Sequence, residues 1–452
     1  MLRKIRIAAA AFFFVLTTLL FLDFTGTLHA WLGWMAKIQF LPALLALNVG
    51  VVAFLVILTL LFGRVYCSVI CPLGVMQDVI SWASGKRRKH RNRFAYSPAL
   101  TWLRRGMLVV FVAAMLAGIG SLLAPYSAYG RIASNLLAPV YAWGNNLLAY
   151  IAERMDSYAF YSVDVWMKGL STFLVAVVTF VVLFILAWRN GRTYCNTVCP
   201  VGTVLGFLAR YSLFKPRFDV SKCNGCKLCA RNCKASCIDP VAHKIDYSRC
   251  VACMDCLENC RQGAITYTLR RRNPVPASVS RKPAADAAKA PSDASRRRFL
   301  GLAGVAAYSA LRAQEKKVDG GLAVIADKKV PNRTTPVVPP GARSLRHFNA
   351  HCTGCQLCVS VCPNQVLRPS GKLMTLMQPE MSFERGYCRP ECAKCAEVCP
   401  TDAIRLTGLA EKSSIQIGHA VWIAENCVVN TDGVTCNNCA RHCPAGAISM
   451  VH

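Results

Sequence analysis

The residues best suited to chemistry in this sequence are its cysteines, which number 25 among 452 residues. Two runs in the middle of the chain share the spacing C-x2-C-x2-C-x3-C: Cys223, Cys226, Cys229 and Cys233, then Cys250, Cys253, Cys256 and Cys260. This spacing holds three thiolates around one iron–sulfur cubane and sends the fourth to a neighbouring cubane. Zinc sites usually place two C-x2-C pairs farther apart, so the runs predict two [4Fe-4S] clusters in an electron-transfer module.

Twelve more cysteines form three sets toward the C-terminus: Cys352, Cys355, Cys358 and Cys362; Cys388, Cys392, Cys395 and Cys399; and Cys427, Cys436, Cys439 and Cys443. The first set has the full ferredoxin spacing, the second has one longer spacer, and the third has a long first gap. Disulfides are the alternative, but spacings this short suit clusters better. The sets therefore predict three further [4Fe-4S] clusters, about five in all at four ligands each, with ligands exchanged between sets.

Cys237 is left over from these sets. Aligned on the Ala-Ile pairs that follow the other runs, it occupies the position of Ala264. We therefore interpret Cys233 as the ligand and Cys237 as a small packed residue beside the cluster. Neither Cys233 nor Cys260 is followed by the proline that follows the later sets, so an exchange of Cys237 for Cys233 stays open.

A second kind of cysteine motif, G-R-x-Y-C-x3-C-P-x-G, occurs twice, at residues 63–74 and 191–202. Its four cysteines are Cys67, Cys71, Cys195 and Cys199. Cysteines four apart lie on one helical face, so each pair is able to share a metal, form a strained disulfide or flank a bound quinone. Buried small side chains are the alternative. Because the motif is duplicated with both thiols, we favour a redox or catalytic role, whose chemistry the spacing does not specify.

The rest of the first half is apolar. The chain is 54% hydrophobic and only 17% charged, whereas soluble proteins carry about a quarter charged residues. Four uncharged stretches cover residues 7–22, 38–63, 106–130 and 169–188. The last three meet the requirement of about 20 residues for a membrane crossing, and the first does so if its helix continues to Leu28. A secretory signal is the alternative for the first, but no small-residue cleavage site follows it, so we predict an anchor.

Basic residues indicate how these stretches are oriented. Lys and Arg outnumber Asp and Glu by 53 to 23, and many of them lie at the N-terminus and in residues 86–93, whereas the other two connections are neutral. By the positive-inside rule, the N-terminus, residues 86–93 and the chain after Trp188 are cytoplasmic. This distribution explains much of the net charge of +30 as membrane topology, and no nucleic-acid partner is predicted.

A linker rich in Pro, Ala and Ser covers residues 270–294 and is followed by Ser295-Arg296-Arg297-Arg298-Phe299-Leu300. This segment, residues 295–314, resembles a twin-arginine export signal inside a chain. A basic linker before a buried helix is the alternative. We favour export by the twin-arginine machinery, which carries folded proteins, and we expect residues 341–452 to be periplasmic; cleavage of the signal is left open.

Neither haem nor flavin is expected. Only His29 lies near an apolar stretch, and the chain has no C-x-x-C-H haem attachment site. His347, His351 and His442 lie beside cysteine sets that are already complete, so we interpret them as neighbours of the ligands or as surface residues.

These features predict an α-helical membrane protein with four transmembrane helices in a duplicated hairpin, followed by two α+β ferredoxin-like iron–sulfur domains. The domains are a membrane domain at 1–215, a cytoplasmic two-cluster ferredoxin at 216–269 and a periplasmic three-cluster domain at 341–452. The C-x3-C-P pairs with the trailing ferredoxin resemble the NapH-type membrane component of periplasmic nitrate reductase systems. The twin-arginine segment and the second ferredoxin resemble its partner NapG and the methylamine-utilisation ferredoxins.

The resemblance implies a protein of the cytoplasmic membrane that oxidises quinol and passes electrons through its clusters to a periplasmic redox partner. It also implies that the four C-x3-C-P cysteines are redox-active or line the quinol site. The alternatives are a redox-linked maturation or regulatory protein that handles a metal such as copper, and a protein that stores clusters or serves as a scaffold. The terminal acceptor and the direction of electron flow are left open.

Overall fold

The computed structural model describes residues 1–23, 26–87, 93–117, 122–165, 167–269, 335–383, 386–405, 408–443 and 446–449. The chain divides into one compact unit of residues 1–271 and 336–418, and a second of residues 272–335 and 419–452. The predicted domain 341–452 is thus divided between the two units. The predicted linker and twin-arginine segment, residues 270–314, lie outside the described residues.

Two helices of the first unit have the length of a membrane crossing. They are α1, Leu2–Leu22, and α11, Leu170–Asn190, with 21 residues each. At 1.5 Å per residue such a helix is about 30 Å long, the thickness of a hydrocarbon core. By length and apolar composition both are candidate membrane spans, and they coincide with the first and last predicted stretches.

The two middle stretches do not form single helices of this length. Residues 38–63 divide into Phe40–Leu45 (α4) and Val49–Phe62 (α5), because Leu47 has a φ of 53° and the side chain of Asn48 accepts the Val51 N–H to begin a new helix. The third stretch contains the end of Thr101–Leu116 (α8) and the start of a separate helix at Pro125, a residue suited to a first helical turn.

The remaining helices of residues 1–215 are Thr27–Leu32 (α2), Trp34–Lys37 (α3), Val65–Val69 (α6), Pro72–Gly85 (α7), Pro125–Ile132 (α9), Ala138–Arg154 (α10), Thr193–Thr197 (α12) and Pro200–Ala209 (α13). A π-helical turn, Ala133–Leu137, joins α9 to α10. The order α5–α6–α7 is repeated as α11–α12–α13: an apolar helix, a one-turn helix, and a helix that begins with proline. The duplication seen in the sequence is therefore also a duplication of structure.

Module one, residues 214–269, has the two short sheets of a small ferredoxin. Strand β1, Phe214–Phe218, pairs antiparallel with β4, Ile265–Leu269, and β2, Ile238–Asp239, pairs with β3, Lys244–Ile245. The other elements are the 3-10 turn Val220–Lys222 and the short helices Leu228–Arg231 (α14) and Asp255–Asn259 (α15). The cysteine loops between these elements surround a separate apolar core.

Module two, residues 336–418, also combines a short antiparallel sheet with short helices. Its antiparallel pair joins β5, Leu367–Pro369, to β6, Pro379–Met381. Its helical elements are Leu345–His351 (α16), Leu357–Val361 (α17), the 3-10 turn Leu373–Thr375, Lys394–Glu397 (α18) and Leu409–Ser414 (α19). The second unit contains the 3-10 turn Ala424–Asn426 and the helices Val428–Thr431 (α20) and Asn438–Arg441 (α21).

The two modules contact opposite ends of the long helices. At the start of α1, Nε of Arg3 lies 2.7 Å from a carboxylate oxygen of Asp255 in module one, whereas the end of α1 packs near α17 of module two. Helix α11 runs the other way. Gly169, before its start, lies against Pro369 of module two, and the N–H of Arg192, after its end, donates to the Lys234 carbonyl of module one at 2.9 Å. Helices α1 and α11, each as long as a membrane crossing, therefore both run from one module to the other.

Candidate iron–sulfur centres and a four-cysteine site

In module one, the ligands predicted for the first cluster surround one small cavity. Its wall contains Cys223, Cys226 and Cys229 from the first run, together with Cys260 from the second. The spacing predicts this arrangement, in which three thiols come from one run and the fourth is the last thiol of the other run. Four thiols are also the number of ligands that a cubane needs.

A second cavity of module one contains the reciprocal set, Cys250, Cys253 and Cys256 with Cys233, and also Cys237. The sulfur atoms of Cys233 and Cys237 are 3.5 Å apart. The hydrogen bond with Cys237 lowers the pKa of Cys233 to about 7, and a similar contact lowers the pKa of Cys250. The pKa of Cys237 is raised by the same contacts. Both thiols thus lie at this cavity, and the sequence alignment, in which Cys237 takes the place of Ala264, is the ground for interpreting Cys233 as the ligand and Cys237 as a neutral thiol beside it.

We expect Cys237→Ala and Cys233→Ala to differ sharply. Loss of a neutral donor should leave the cluster bound but lower its reduction potential, because hydrogen bonds to the sulfurs raise that potential. Loss of a ligand should release about four irons per chain. Iron analysis and a redox titration followed by EPR distinguish the two variants. Loss of iron from Cys237→Ala with retention in Cys233→Ala would reverse the assignment.

Module two brings its cysteines together in the same exchanged way. Cys352, Cys355 and Cys358 line a cavity with Cys399, the last cysteine of the following set. Cys362, the last of the first set, lies instead within electrostatic range of Cys388 and Cys395, and Cys392 is close to the same two residues. The geometry therefore fits two cubanes, each with one ligand from the other run.

The last cysteine set, which begins at Cys427, lies in the second unit. Its role as a cluster site stays a prediction. Across the described residues of the whole chain, no three His, Cys, Asp or Glu side chains are grouped closely enough to hold a single metal ion. Cubane ligands lie farther apart than the ligands of one ion, since the iron atoms occupy the space between them. The cysteine groups therefore fit clusters better than mononuclear zinc.

The two C-x3-C-P motifs form one joint site. Cys67, Cys71, Cys195 and Cys199 are only 4–5% exposed. Each of the six pairs among these thiols is close enough to interact electrostatically. Two cysteines lie in the one-turn helices α6 and α12, and the other two are the N-cap residues of α7 and α13. Sequence spacing predicted two pairs; the fold combines them into four.

The arginine of each motif reaches across to the other copy. Nη1 of Arg192 donates to the Cys67 carbonyl at 2.7 Å, and Nη2 of Arg64 donates to the Cys195 carbonyl at 3.1 Å. Each guanidinium also contacts the sulfur in its own motif: Arg64 with Cys67 at 3.8 Å and Arg192 with Cys195 at 3.9 Å. Both arginines are fully buried. This exchange about an approximate twofold axis locks the two halves together.

The glycine that ends each motif is required by the same packing. A methyl group on Gly74 would lie 2.3 Å from the Cys67 carbonyl oxygen and 2.6 Å from Arg192. On Gly202 it would lie 2.2 Å from the Cys195 carbonyl oxygen and 2.8 Å from Arg64. Only glycine at this position lets the helix approach the crossing arginine, which explains why the motif ends in glycine.

One carboxylate, which sequence reasoning did not single out, joins this site to module one. Asp78 accepts from Arg192 at 2.8–2.9 Å and from Arg6 at 2.8 Å, and Lys234 of module one lies 3.6 Å away. Gln77, its neighbour, donates to the sulfur of Cys195 at 3.3 Å. Asp78, in α7, is the one acid between the second and third predicted stretches, and no local pattern indicates that three cations converge on it.

A cavity of about 510 Å³ lies at the far end of α1 against module two. Its wall includes Asp23, Lys168 and the predicted cluster ligand Cys362. The Asp23 carboxylate lies 2.9 Å from Nδ1 of the buried His29. Nε2 of His29 has no hydrogen-bond partner among the described residues. The C-x3-C-P cysteines do not line this cavity, so the geometry separates them from it.

Comparisons with known proteins agree with the iron–sulfur chemistry. A family described as a 4Fe-4S binding domain matches residues 44–90 and 172–221, which contain the two C-x3-C-P motifs. A family described as a 4Fe-4S dicluster domain matches residues 351–403. These matches confirm the prediction that the chain contains 4Fe-4S ferredoxin-type domains. No solved structure matches the chain significantly.

Curated relatives are distant and partial. The methylamine utilization ferredoxin-type protein MauM of Methylophilus methylotrophus is 34% identical over 25% of this chain and 52% of its own length. MauN of Paracoccus denitrificans is 27% identical over 38% of this chain and 48% of its own length. The putative electron transport protein YccM of Escherichia coli is 27% identical over 40% of this chain and 44% of its own length. The chain spans about half or less of the length of these relatives. It thus contains 4Fe-4S ferredoxin-type domains and is distantly homologous to these proteins.

Proposed function

We propose that this chain is a membrane-bound quinol dehydrogenase module that passes electrons through about five [4Fe-4S] clusters to a periplasmic redox protein. The observation that carries the proposal is the cavity of about 510 Å³ at the end of α1. It combines a cluster ligand, Cys362, with a buried acid–histidine pair at the level where a membrane-length helix ends. Quinol oxidation needs an electron acceptor and a proton acceptor side by side, and this cavity offers both.

The reaction balances with the groups at this cavity. A quinol releases two electrons and two protons to become a quinone. A cubane held by Cys362 would take the electrons one at a time and pass both to the periplasmic partner. Asp23 takes a proton from a quinol hydroxyl, and the neutral ring of His29, whose Nδ1–H donates to the Asp23 carboxylate at 2.9 Å, holds that carboxylate in place. Asp23 loses the proton to solvent before it takes the second.

The sequence and the two long helices together support membrane placement. Two helices have the length and composition of spans, and the basic N-terminus and residues 86–93 favour the cytoplasmic side for module one. Module two, at the opposite end of α1, then faces the periplasm. This is the side to which a twin-arginine signal at residues 295–314 would deliver it, and the arrangement matches the NapH–NapG resemblance.

The pH dependence of quinol oxidation follows from His29. Burial lowers the pKa of His29 from 6.5, against the opposing effect of Asp23 and with a further lowering by Lys394. The ring is therefore neutral at pH 7. As the pH falls through the lowered pKa, the ring becomes an imidazolium, which makes the neighbouring Asp23 a weaker base, so we expect the rate to drop as His29 is protonated. In His29→Gln the rate of quinol oxidation should already be low at pH 7, and it should show no further drop from protonation of residue 29.

The direct test adds ubiquinol or menaquinol to the purified full chain and uses EPR to detect reduction of the clusters. The unmodified chain should show reduced cubane signals. His29→Gln should lose this reduction by quinol while dithionite still reduces every cluster. His243→Gln, in a loop of module one remote from the cavity, is the matched control and should behave as the unmodified chain. Unaltered quinol reduction in His29→Gln would exclude this cavity as the site.

A further inference from the structure

An open groove of about 360 Å³ lies between the start of α8, the helix α13 and module one. Its wall contains three arginines, Arg104, Arg105 and Arg210, together with apolar side chains such as Leu108 and Phe207. The described wall contains no carboxylate. A groove that is basic in one part and apolar in another fits a ligand with an anionic group and an apolar tail.

Arg104 is the most constrained of the three arginines. Its side chain is buried, with the residue only 5% exposed. Nη1 donates to the Ser248 hydroxyl at 3.1 Å and Nη2 donates to the Ser248 carbonyl at 3.2 Å, so both bonds go to neutral acceptors. Nε is buried and has no hydrogen-bond partner among the described residues. A buried cation with an unused donor is unfavourable, and an anionic acceptor would relieve both deficits.

The neighbouring charges do not neutralise Arg104. It lies within electrostatic range of three further arginines, Arg64, Arg210 and Arg249. A carboxylate in the same range, Asp246, is already paired with Arg249 at 2.8 Å. Because like charges gather here in partly dry surroundings, an anion is attracted more strongly than it would be to a single exposed arginine.

Packing around Arg104 requires a glycine in α13. A methyl group on Gly206 would lie 2.4 Å from the Ser248 carbonyl oxygen and 2.6 Å from Nη2 of Arg104. Glycine at this position lets α13 approach both groups closely. The basic part of the groove is therefore built by the packing of α8, α13 and module one, and is not a set of side chains that extend freely into solvent.

The apolar part of the groove continues along the outer faces of both helices. Val109 and Val112 lie four and seven residues after Arg105, on the same face of α8, and are 68% and 50% exposed. On α13, Val204 and Phe207 are exposed as well. These faces are suited to acyl chains. An anionic group at the arginines with acyl chains along the helices is the arrangement of a phospholipid.

Exposed aromatic side chains lie at the same level as the arginines. Trp102, near the start of α8, and Tyr211, which follows Arg210, are both largely exposed. Trp and Tyr are enriched where the hydrocarbon core of a membrane meets the headgroups. In the orientation proposed above, this is the cytoplasmic side, whose leaflet carries anionic lipids, and basic pockets between helices on that side bind lipid headgroups.

We propose that this groove binds one anionic phospholipid, whose phosphate accepts hydrogen bonds from Arg104, Arg105 and Arg210 and whose acyl chains lie along α8 and α13. The planar fork of a guanidinium matches two phosphate oxygens. The lipid joins module one, through the Ser248 contacts of Arg104, to the membrane surface. The inference rests on the membrane placement in the proposed function, but not on quinol oxidation.

The experiment titrates the delipidated full chain, purified in detergent, with dioleoyl phosphatidylglycerol or with dioleoyl phosphatidylcholine. The two lipids have the same acyl chains, but only the first carries a net negative charge. Native mass spectrometry counts the bound lipids and gives their dissociation constants. We expect one tight site for phosphatidylglycerol and binding of phosphatidylcholine that is weaker by about tenfold or more.

Two exposed arginines allow a test that leaves the buried packing intact. Arg105→Gln and Arg210→Gln should each weaken the binding of phosphatidylglycerol about fivefold, the contribution of one basic residue at an anionic membrane surface. Val204→Trp keeps every charge but fills the groove, so it should remove the tight site. Arg154→Gln, which removes an exposed arginine at the end of α10, is the matched control and should bind the lipid as the unmodified chain does.

Each other result overturns the proposal. Equal affinity for the two lipids would mean that the arginines do not recognise a headgroup, and an equal loss in Arg154→Gln would reduce the effect to total charge. Displacement of the lipid by a similar concentration of inorganic phosphate would make a soluble anion the ligand, and displacement by ubiquinone would make the groove a quinone site. The titration uses neither quinol nor EPR, so failure of the lipid site is distinguished from failure of the His29 test.

Discussion

Asp78→Asn should destabilise the fold more than any other single charge change in the described part of the chain. Asp78 is the shared anion for Arg192 and Arg6 and a neighbour of Lys234, and its side chain is 10% exposed. Replacement by the neutral amide keeps the shape but leaves buried cations without a counter-ion. Breaking a buried pair in this way costs about 3–5 kcal/mol. Unfolding of the detergent-solubilised chain, followed by circular dichroism, measures the loss.

The matched control is Glu258→Gln. Glu258 pairs with Arg3 at the same end of α1, but its side chain is 48% exposed, and exposed pairs contribute about 0–1 kcal/mol. The control should therefore unfold close to the unmodified chain. Equal stability of Asp78→Asn and Glu258→Gln would mean that water reaches the Asp78 cluster and that its charges are not buried.

Ligand spacing made the grouping of the ferredoxin cysteines predictable from sequence. In each run with the spacing C-x2-C-x2-C-x3-C, three cysteines fall within seven residues, so local geometry alone brings them together, and the fourth follows the known exchange. The reciprocal sets around Cys233 and Cys260 have the expected membership. The residues of these sites are close in the chain, and their prediction needs no knowledge of tertiary packing.

The four-cysteine site could be predicted only by halves. Cys67 and Cys195 are 128 residues apart in the chain, and their convergence depends on the crossing of Arg64 and Arg192, which no local pattern encodes. The broken middle stretches show a similar limit. Hydropathy reports burial in apolar surroundings, whether lipid or protein, so it cannot register the interruption at Asn48, where a side-chain cap begins a new helix.

The second large effect is expected at the contact between module two and helix α9. Gly130 lies in α9, and a methyl group there would be 2.4 Å from the Cys355 carbonyl oxygen and 2.9 Å from the Phe21 ring. The oxygen belongs to the backbone of a cluster loop and is unable to rotate away. Gly130→Ala should therefore displace module two from α9, at a cost of about 1–3 kcal/mol or more.

Displacement should also interrupt electron transfer, because the cubane beside Cys355 moves away from Arg131 and from Tyr194, which precedes Cys195, while its own ligands stay intact. We expect full iron content in Gly130→Ala, faster proteolysis of module two, and slower redox equilibration between the modules after rapid reduction of one. Gly144→Ala is the control, since a methyl group there meets no atom within 4 Å and alanine favours a helix by about 1 kcal/mol. Normal equilibration in Gly130→Ala, with module two displaced, would show that electrons do not pass between the modules by this contact.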